Sequence, residues 1–373
     1  MTKQNFFKWF KRGTLVLAII PILIFLAFAG AVNLIDFNQY KPQIEAEVKQ
    51  YTGRDFKIDG AVEVSVLPFV FNITDLYLKN PQGFEVENLL SIKEVRLELS
   101  LPDLLIDKEV SIISLELIEP KLHFIKTELG DNWSDITALS QATDALSGLE
   151  NKQASQQQFK PEGSDKVYHW TFDSLVVRQG EIQLEDKLQG YTETLSAVNI
   201  LTFDVVLGQP FHVNSDFIYT NSFSEKTNDF HLSGDLQVYN QFNNWLLTDW
   251  NGVFKLRLPD EKKVPEVRLT TEGQRLLLAF DSLGINVEKG QLKGLDAQLT
   301  SSFSGKFGKA VSLSGSANVK NLNFKNWSFY LGIAMPEFLD EKVEGDGNGQ
   351  FDWSWDGEKL KLNPQNLKVK LEE

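Results

Sequence analysis

The residues that most often carry catalysis or bind metals are few and scattered in this chain. The four histidines, His123, His169, His212 and His231, lie far apart, and all but His169 fall on the faces of predicted strands. No zinc-binding spacing such as H-E-x-x-H is present. With no cysteines, the chain has no thiolate nucleophile, disulfide or cysteine metal site. The pattern favours imidazoles that face solvent or are hydrogen-bonded.

Three short motifs approach known functional sites without matching them. Ser314-Gly315-Ser316 lacks the G-x-S-x-G frame of a nucleophile elbow. Gly308-Lys309-Ala310 lacks the upstream glycine and the hydroxyl residue of a P-loop. The stretch from Glu344 to Gly349 has oxygens at alternate positions, but Trp355 occupies the place of the bidentate Glu of a calcium loop, so a Gly-rich turn is favoured. We therefore expect no enzyme, no metal site and no cofactor.

Composition excludes some partners. The formal net charge of −14 argues against nucleic acid, because binding to its phosphates needs clustered Lys and Arg. The same charge argues against broad adhesion to anionic lipid surfaces. The chain nevertheless contains 27 phenylalanines, a heavy apolar load that must be kept from water.

The N-terminal segment predicts a membrane anchor. A transmembrane helix is predicted over residues 14–36, because no charged residue occurs from Gly13 to Ile35 and about 20 apolar residues in a helix cover the roughly 30 Å hydrocarbon core. Residues 1–13 form a basic tip with Lys3, Lys8, Lys11 and Arg12, which should stay in the cytoplasm. The alternative is a cleaved signal peptide, because Ala27-Phe28-Ala29 matches an A-x-A site. The rest of the chain lies outside the cytoplasm in either case.

A short amphipathic helix is predicted over residues 39–52. Asn38 is placed to cap it, Pro42 is tolerated in its first turn and Gly53 ends it. Its apolar face recurs at helical spacing, with Ile44, Val48 and Tyr51. By its position this helix is either a lid over the following strands or a helix packed on the end of their sheet.

From Val62 onwards the apolar period changes from 3.6 to 2, which indicates strands. A second helix is predicted over 133–149 and a flexible loop over 151–165, and alternation resumes in 166–373. About 18–20 strands of ordinary length result. The candidate apolar lining of the first strands comprises Val62, Val64, Val66, Phe69, Phe71, Val95, Leu97, Leu99, Leu115, Leu117, Leu122 and Phe124.

Nearly every predicted strand has one apolar face, and a few short helices cannot cover so many of these faces. Two arrangements of the sheet would keep them from water. The sheet folds onto itself as sandwiches, the more common outcome of this pattern, or it curls into a trough whose lining is filled by ligand. The strand pattern alone leaves both open.

Several motifs resemble the N-terminal region of the AsmA family of bacterial envelope proteins. In order they are Asp36-Phe37-Asn38, Tyr51-Thr52-Gly53-Arg54, Ile58-Asp59-Gly60, Leu67-Pro68, Leu78-Lys79-Asn80-Pro81 and Gly130-Asp131-Asn132-Trp133, and Leu331 to Pro336 adds a later match. The resemblance covers residues 5–135 well. It implies an inner-membrane anchor, an elongated β-groove related to chorein-type bridges, and a part in moving phospholipid towards the outer membrane.

With this resemblance, the expected fold is mainly β. A transmembrane helix precedes an elongated, curved antiparallel β-sheet that forms an apolar groove, with a few short helices. The groove would begin in residues 37–150 and continue in 166–373, ending incomplete at a strand-like C-terminus.

The expected function is binding of lipid acyl chains by a single-pass inner-membrane protein with a periplasmic bulk, in support of phospholipid transport or outer-membrane homeostasis. Expected partners are phospholipid, the inner membrane and an envelope protein at the C-terminal sheet edge. The alternative is an assembly or scaffolding factor for outer-membrane proteins that docks through its sheet edge.

Overall fold

The computed structural model describes residues 30, 34–107, 110–128, 130–135, 171–206, 208–222, 227–239, 244–257, 266–279, 282–306, 311–323, 345–356, 359–366 and 368–371. Within these residues no helix is both long and apolar enough to cross a membrane. The predicted span 14–36 lies outside them apart from Gly30 and residues 34–36. The predicted helix 133–149 beyond Asp135 and the loop 151–165 also lie outside the described residues.

The predicted N-terminal helix is present, with a different cap. A 3₁₀ turn (Phe37–Tyr40) leads into α1 (Lys41–Thr52), which ends at Gly53 in the left-handed conformation, φ 68°. Asn38 was expected to be the N-cap, and that prediction is wrong. Asp36 Oδ1 accepts from the Asn38 N–H at 3.0 Å, while Asn38 Oδ1 accepts from the Val62 N–H at 3.0 Å. Asp36 thus caps the 3₁₀ turn, α1 begins after Tyr40 without a side-chain cap, and Asn38 instead joins the turn to the sheet.

The described strands number 19, within the predicted range, and belong to one sheet. They are β1 (Phe56–Ile58), β2 (Val62–Val66), β3 (Phe69–Lys79), β4 (Asn88–Leu99), β5 (Ile112–Thr127), β6 (Gly130–Asp131), β7 (Thr171–Asp186), β8 (Tyr191–Phe203), β9 (Val205–Val206), β10 (Phe211–Asn221), β11 (Thr227–Tyr239), β12 (Asn244–Arg257), β13 (Val267–Ala279), β14 (Gly284–Gly294), β15 (Ala297–Lys306), β16 (Ser312–Asn323), β17 (Gly345–Trp355), β18 (Leu360–Pro364) and β19 (Lys368–Leu371). A π-helical turn (Asp103–Asp107) lies between β4 and β5.

The sheet is open and mixed, which corrects the prediction of an antiparallel sheet. The pairings between described strands are antiparallel except that of β5 and β7, which run parallel from Ile112↔Phe172 to Lys126↔Asp186. Parallel neighbours need a long crossover, and the sequence between β6 and β7 is long enough for one. Lys126 Nζ donates to Asp186 Oδ2 at 2.8 Å at the end of this pair, and that hydrogen bond lowers the pKa of Asp186.

Each core cluster joins only neighbouring strands. The first cluster contains Ile58, Val62 and Leu76 of β1–β3, with Phe37 and Ile44 packed against it. The second joins residues of β7 and β9–β11, and the third joins residues of β14–β18. A sandwich would bring distant strands together, and the described part of the chain contains no such cluster. The sheet therefore remains a single layer, with α1 packed on its first strands.

Left-handed residues inside the strands change the alternation at fixed points. Asp75, Glu119, Gln179 and Ala197 all have positive φ, between 49° and 54°. Several of them lie close to one another on neighbouring strands. Ile118 pairs with Arg178, which places Glu119 beside Gln179, and Gly180 pairs with Val198, so that Gln179 and Ala197 each lie next to this pair. An extra residue of this kind bends a strand and increases its twist. In a regular strand, residues an odd number of positions apart lie on opposite faces. The left-handed residue Asp75 instead allows Ile73 and Leu76 to belong to one apolar cluster.

Candidate apolar face and its supporting network

Cross-strand pairing joins apolar side chains into one continuous row from β2 to β17. Because directly paired residues lie on the same face, the row defines the face of the sheet that we call the apolar face. Its members, in strand order, are Val62, Ile73, Val95, Leu117, Val177, Ile200, Ser215, Leu232, Gly252, Thr271, Leu292, Leu299, Val319 and Gly349. Only Ser215, Gly252, Thr271 and Gly349 interrupt the apolar character of this row.

The next residue of each strand lies on the opposite face, and there the row is polar. Its members are Glu63, Asn72, Arg96, Glu116, Val176, Leu201, Asn214, Ser233, Asn251, Glu272, Gln291, Thr300, Asn318 and Gln350. Only Val176 and Leu201 are apolar. The sheet is therefore apolar on one side and polar on the other across these strands.

All twelve predicted lining residues lie in β2 or in the three long strands β3, β4 and β5. Val62, Val95 and Leu117 belong to the apolar row. Val64, Phe71, Leu97 and Leu115 form the row beside it, and Val66 pairs with Phe69 at the hairpin. Beyond the bulges, Leu122 pairs with Leu90 and Ile182, and Phe124 pairs with Leu184. Leu99 pairs with Ile112 after a register shift.

The predicted list stopped at Phe124, but the apolar face continues through later strands. On β10–β12 three phenylalanines stack side by side. The Phe217 and Phe230 rings lie 5.0 Å apart and nearly parallel, and the Phe230 and Phe254 rings lie 4.8 Å apart. A further row runs from Phe211 through Leu236, Leu247, Leu276, Val287, Phe303, Gly315 and Trp353 to Leu362. The period-2 alternation of these segments is the signal that marks them.

Glycines make space for one large ring on this face. Trp250 pairs with Gly273, and a Cβ built on Gly273 would lie 2.4 Å from the Trp250 ring. A Cβ on Gly234 would lie 3.0 Å from the Trp250 Cα, and one on Gly290 would lie 3.9 Å from the ring. The indole therefore lies across strand positions that have no side chain of their own.

Replacing Gly273 with alanine should destabilise the sheet by about 1–3 kcal/mol, because the added methyl must displace the indole. Chemical denaturation measures the cost. The same substitution in a Trp250→Leu background should cost much less, since a leucine does not extend as far over residue 273. An equal cost in both backgrounds would show that the backbone, rather than the ring, requires glycine there.

The polar face contains two crossed His–Asp pairs on β10 and β11. His212 Nδ1 lies 3.0 Å from Asp235 Oδ1, and His231 Nδ1 lies 2.8 Å from Asp216 Oδ1. Ser233 Oγ lies 3.2 Å from His212 Nε2. Ser, His and Asp thus occur in the order of a hydrolase triad. However, Ser233 is in the middle of a strand paired on both sides, whereas an oxyanion site needs N–H groups aimed at substrate.

Charged side chains form ladders on the same face. Arg96 hydrogen-bonds Glu94, which raises the pKa of the Arg96 guanidinium, and its Nη1 lies 3.5 Å from Glu116 Oε2. Arg178 of β7 pairs with the other oxygen of Glu116. Exposed ion pairs contribute little stability, so these ladders mainly keep the polar face hydrated.

The first edge of the sheet is closed by side chains of the N-terminal elements. Glu45 Oε1 of α1 accepts from the Ile58 N–H at 3.0 Å, as Asn38 does from Val62. Burial alone would raise the pKa of Glu45, but hydrogen bonds from Lys57 and Ile58 lower it. These acceptors satisfy edge N–H groups that could otherwise pair with another strand.

A buried polar network, centred on Arg54, joins α1 to the sheet. Arg54 is 5% exposed and pairs with Asp135, with Nε 3.0 Å from Oδ2. It also donates to the carbonyl oxygens of Lys79 at 3.3 Å and Asn132 at 3.0 Å. Asn132 is fully buried, so the Arg54 network fixes the chain at the point where the crossover to β7 begins.

Asn132 makes the second part of the same network. Its Oδ1 accepts from the Ile125 N–H at 2.8 Å, and its Nδ2 donates to Asn80 Oδ1 and the His123 carbonyl, both at 2.8 Å. Three of the motifs singled out from the sequence, around Arg54, Asn80 and Asn132, therefore meet at one place. Gly60, in a fourth motif, has no room for a Cβ, which would lie 2.1 Å from Thr74 Oγ1.

The geometry defines a protein with a long open β-sheet, apolar on one face and polar on the other, whose first edge is closed by a short helix. The chain belongs to the AsmA family, whose family model matches residues 8–353. The resemblance stated from the N-terminal motifs is thereby confirmed and extended over most of the chain. A comparison with curated proteins found no match.

Proposed function

We propose that this protein binds lipid acyl chains on its apolar face and supports phospholipid transport or homeostasis of the outer membrane. In this proposal residues 14–36 anchor it in the inner membrane, with the N-terminus cytoplasmic and the sheet in the periplasm. Membership of a family of envelope proteins supports the location. The twelve residues predicted as lining, from Val62 to Phe124, form the beginning of the lipid-binding surface.

The observation that carries the proposal is the row of mostly apolar residues from Val62 to Val319, which only Ser215, Gly252 and Thr271 interrupt. A core needs apolar residues only where two layers meet, but here one layer presents them in register across successive strands. An acyl chain lying along this row would bury its methylenes at about 0.8 kcal/mol each. Head groups would remain in water beside the sheet, so the mechanism is passive and needs no catalytic residue, metal or cofactor.

The expected partners follow from the same surfaces. Phospholipid would occupy the apolar face, and the formal net charge of −14 argues against nucleic acid as a partner. In the described part of the chain β18 and β19 pair with β17 alone, so another envelope protein could add a strand at this edge. The rival function, a scaffold for outer-membrane protein assembly, would use that edge rather than the apolar face.

Site-specific photo-crosslinking tests the proposal in cells. A crosslinking residue at Leu97, on the apolar face, should capture phospholipid, whereas one at the neighbouring Glu98, on the opposite face, should not. Mass spectrometry of the purified adduct identifies what is captured. Capture of protein at Lys361 of β18, with no lipid at Leu97, would favour the scaffold.

A further inference from the structure

Apolar side chains project into solvent at one end of the first strands. Among the described residues the four most exposed large apolar side chains are Leu34 (88%), Leu67 (79%), Ile106 (76%) and Leu105 (54%). Isolated exposed leucines are ordinary on a protein surface. These four are not isolated, because the topology brings them to the same end of the sheet.

Pairing places Leu67, Leu105 and Ile106, which we call the apolar tip, on adjacent connections. Leu67 lies in the tight turn between Val66 and Phe69, which pair with each other. On the next strand Glu98 pairs with Val70, so β4 ends beside that turn and leads into the segment 100–107.

Backbone hydrogen bonds define the segment that carries Leu105 and Ile106. The Ser100 N–H donates to the Ser111 carbonyl at 2.9 Å, which closes the base of the connection between β4 and β5. The Leu104 N–H then donates to the Ser100 carbonyl at 3.1 Å. In the π-helical turn that follows, the side chains of Leu105 and Ile106 are exposed to solvent.

Leu34 reaches the same end from the N-terminal segment. The Phe37 ring lies 5.7 Å from the Phe71 ring, close to the turn that contains Leu67. From there α1 runs to the opposite end of the strands, where Arg54 binds the Lys79 carbonyl. The described residues 34–36 therefore join the sheet from the side of the apolar tip, and the apolar run 15–34 leads into them in the sequence.

We propose that the apolar tip inserts into the periplasmic surface of the bilayer that holds the N-terminal anchor. The inference rests on the anchor in the proposed function. Insertion is driven by apolar burial rather than by charge, because Asp103 precedes Leu105 in the same turn and would repel anionic head groups. Insertion places the first strands, with Val64 and Phe71, where lipid can leave the membrane for the apolar face.

The absence of native cysteine allows the test on the full chain. Single cysteines at Leu67 and Ile106 are labelled with an environment-sensitive fluorophore, and the protein is reconstituted in phosphatidylcholine vesicles whose acyl chains carry bromine. Leu188 is the matched control: it is a large apolar residue, 49% exposed, in the turn at the opposite end of β7. A label at Leu34 reports on the anchor.

The emission of labels at Leu67 and Ile106 should shift to the blue, and the brominated acyl chains should quench most of it. The emission of the label at Leu188 should stay unchanged. Quenching at Leu34 without quenching at Leu67 and Ile106 would overturn the tip and leave the anchor standing. No quenching even at Leu34 would remove the anchor and the tip together. Equal quenching at Leu188 would indicate general adsorption and overturn the inference as well.

Discussion

Replacing Arg54 with alanine should lower the free energy of unfolding of the N-terminal part of the sheet by roughly 2–6 kcal/mol, about 1–3 kcal/mol for each of two carbonyl oxygens that lose their donor. The Arg54 side chain is 4% exposed, and its guanidinium serves Asp135 and the carbonyl groups of Lys79 and Asn132. Its removal leaves buried carbonyl oxygens without donors, and an unsatisfied buried group costs more than a hydrogen bond gains.

The expected loss has a defined location. Arg54 joins the end of α1, the end of β3 and the segment that starts the crossover to β7. Hydrogen exchange should therefore quicken first at the Ile125 amide, which is held by Asn132 Oδ1. Protection of distant strands such as β15 should change little, because each core cluster is local.

Arg96 provides the matched control for this measurement. Its side chain is 49% exposed, and its ion pairs with Glu94 and Glu116 lie on the polar face. Arg96→Ala should cost at most about 1 kcal/mol. Equal costs for the two arginines would mean that the Arg54 network does not fasten the crossover.

The sequence predicts much of the sheet, because a strand with one face in water and one apolar face must alternate polar and apolar residues. Strand number, the single apolar face and the helix that ends at Gly53 all follow from local periodicity and turn chemistry. The alternation also contains a signal for the bulges. In β3 the apolar residues run Phe69, Phe71 and Ile73 and then change phase to Leu76, and Asp75 lies at the change.

Other features depend on contacts between residues distant in sequence. The parallel pair of β5 and β7 cannot be read from either strand, because both alternate as antiparallel strands do. Likewise, Arg54, Asn80 and Asn132 were recognised as separate motifs, and only the fold shows that they share one network. The cap was misplaced because a 3₁₀ turn precedes α1: Asp36, as good an N-cap as Asn38, caps that turn, and α1 begins after Tyr40 without a side-chain cap.

The second large effect is expected from a charge placed in the middle of the apolar row. Leu232→Glu would put a carboxylate between Ser215 and Gly252, two small neighbours that leave room for it. A charged side chain in a hydrocarbon environment costs about 2.5–3.5 kcal/mol, which corresponds to roughly a hundredfold in rate. Lipid that slides along the row should therefore stop at β11.

Two crosslinking positions on either side of Leu232 measure this effect. In the anchored protein, with lipid supplied only by its own membrane, Leu97 should capture lipid at the normal rate, while capture at Phe303 of β15 should slow by roughly a hundredfold. Asn318→Glu is the control, because Asn318 lies on the polar face between Thr300 and Gln350 and should change neither rate.

The remaining outcomes separate a lipid path from independent sites and from a core. Unchanged capture at Phe303 would mean that lipid reaches β15 without passing β11, so the row is not a path. Loss of capture at both positions, together with loss of the circular-dichroism signal of the sheet, would mean that Leu232 belongs to a packed core. A selective loss at Phe303 requires that lipid leaving the membrane near the first strands travels along the apolar face, because position 232 touches neither crosslinking site.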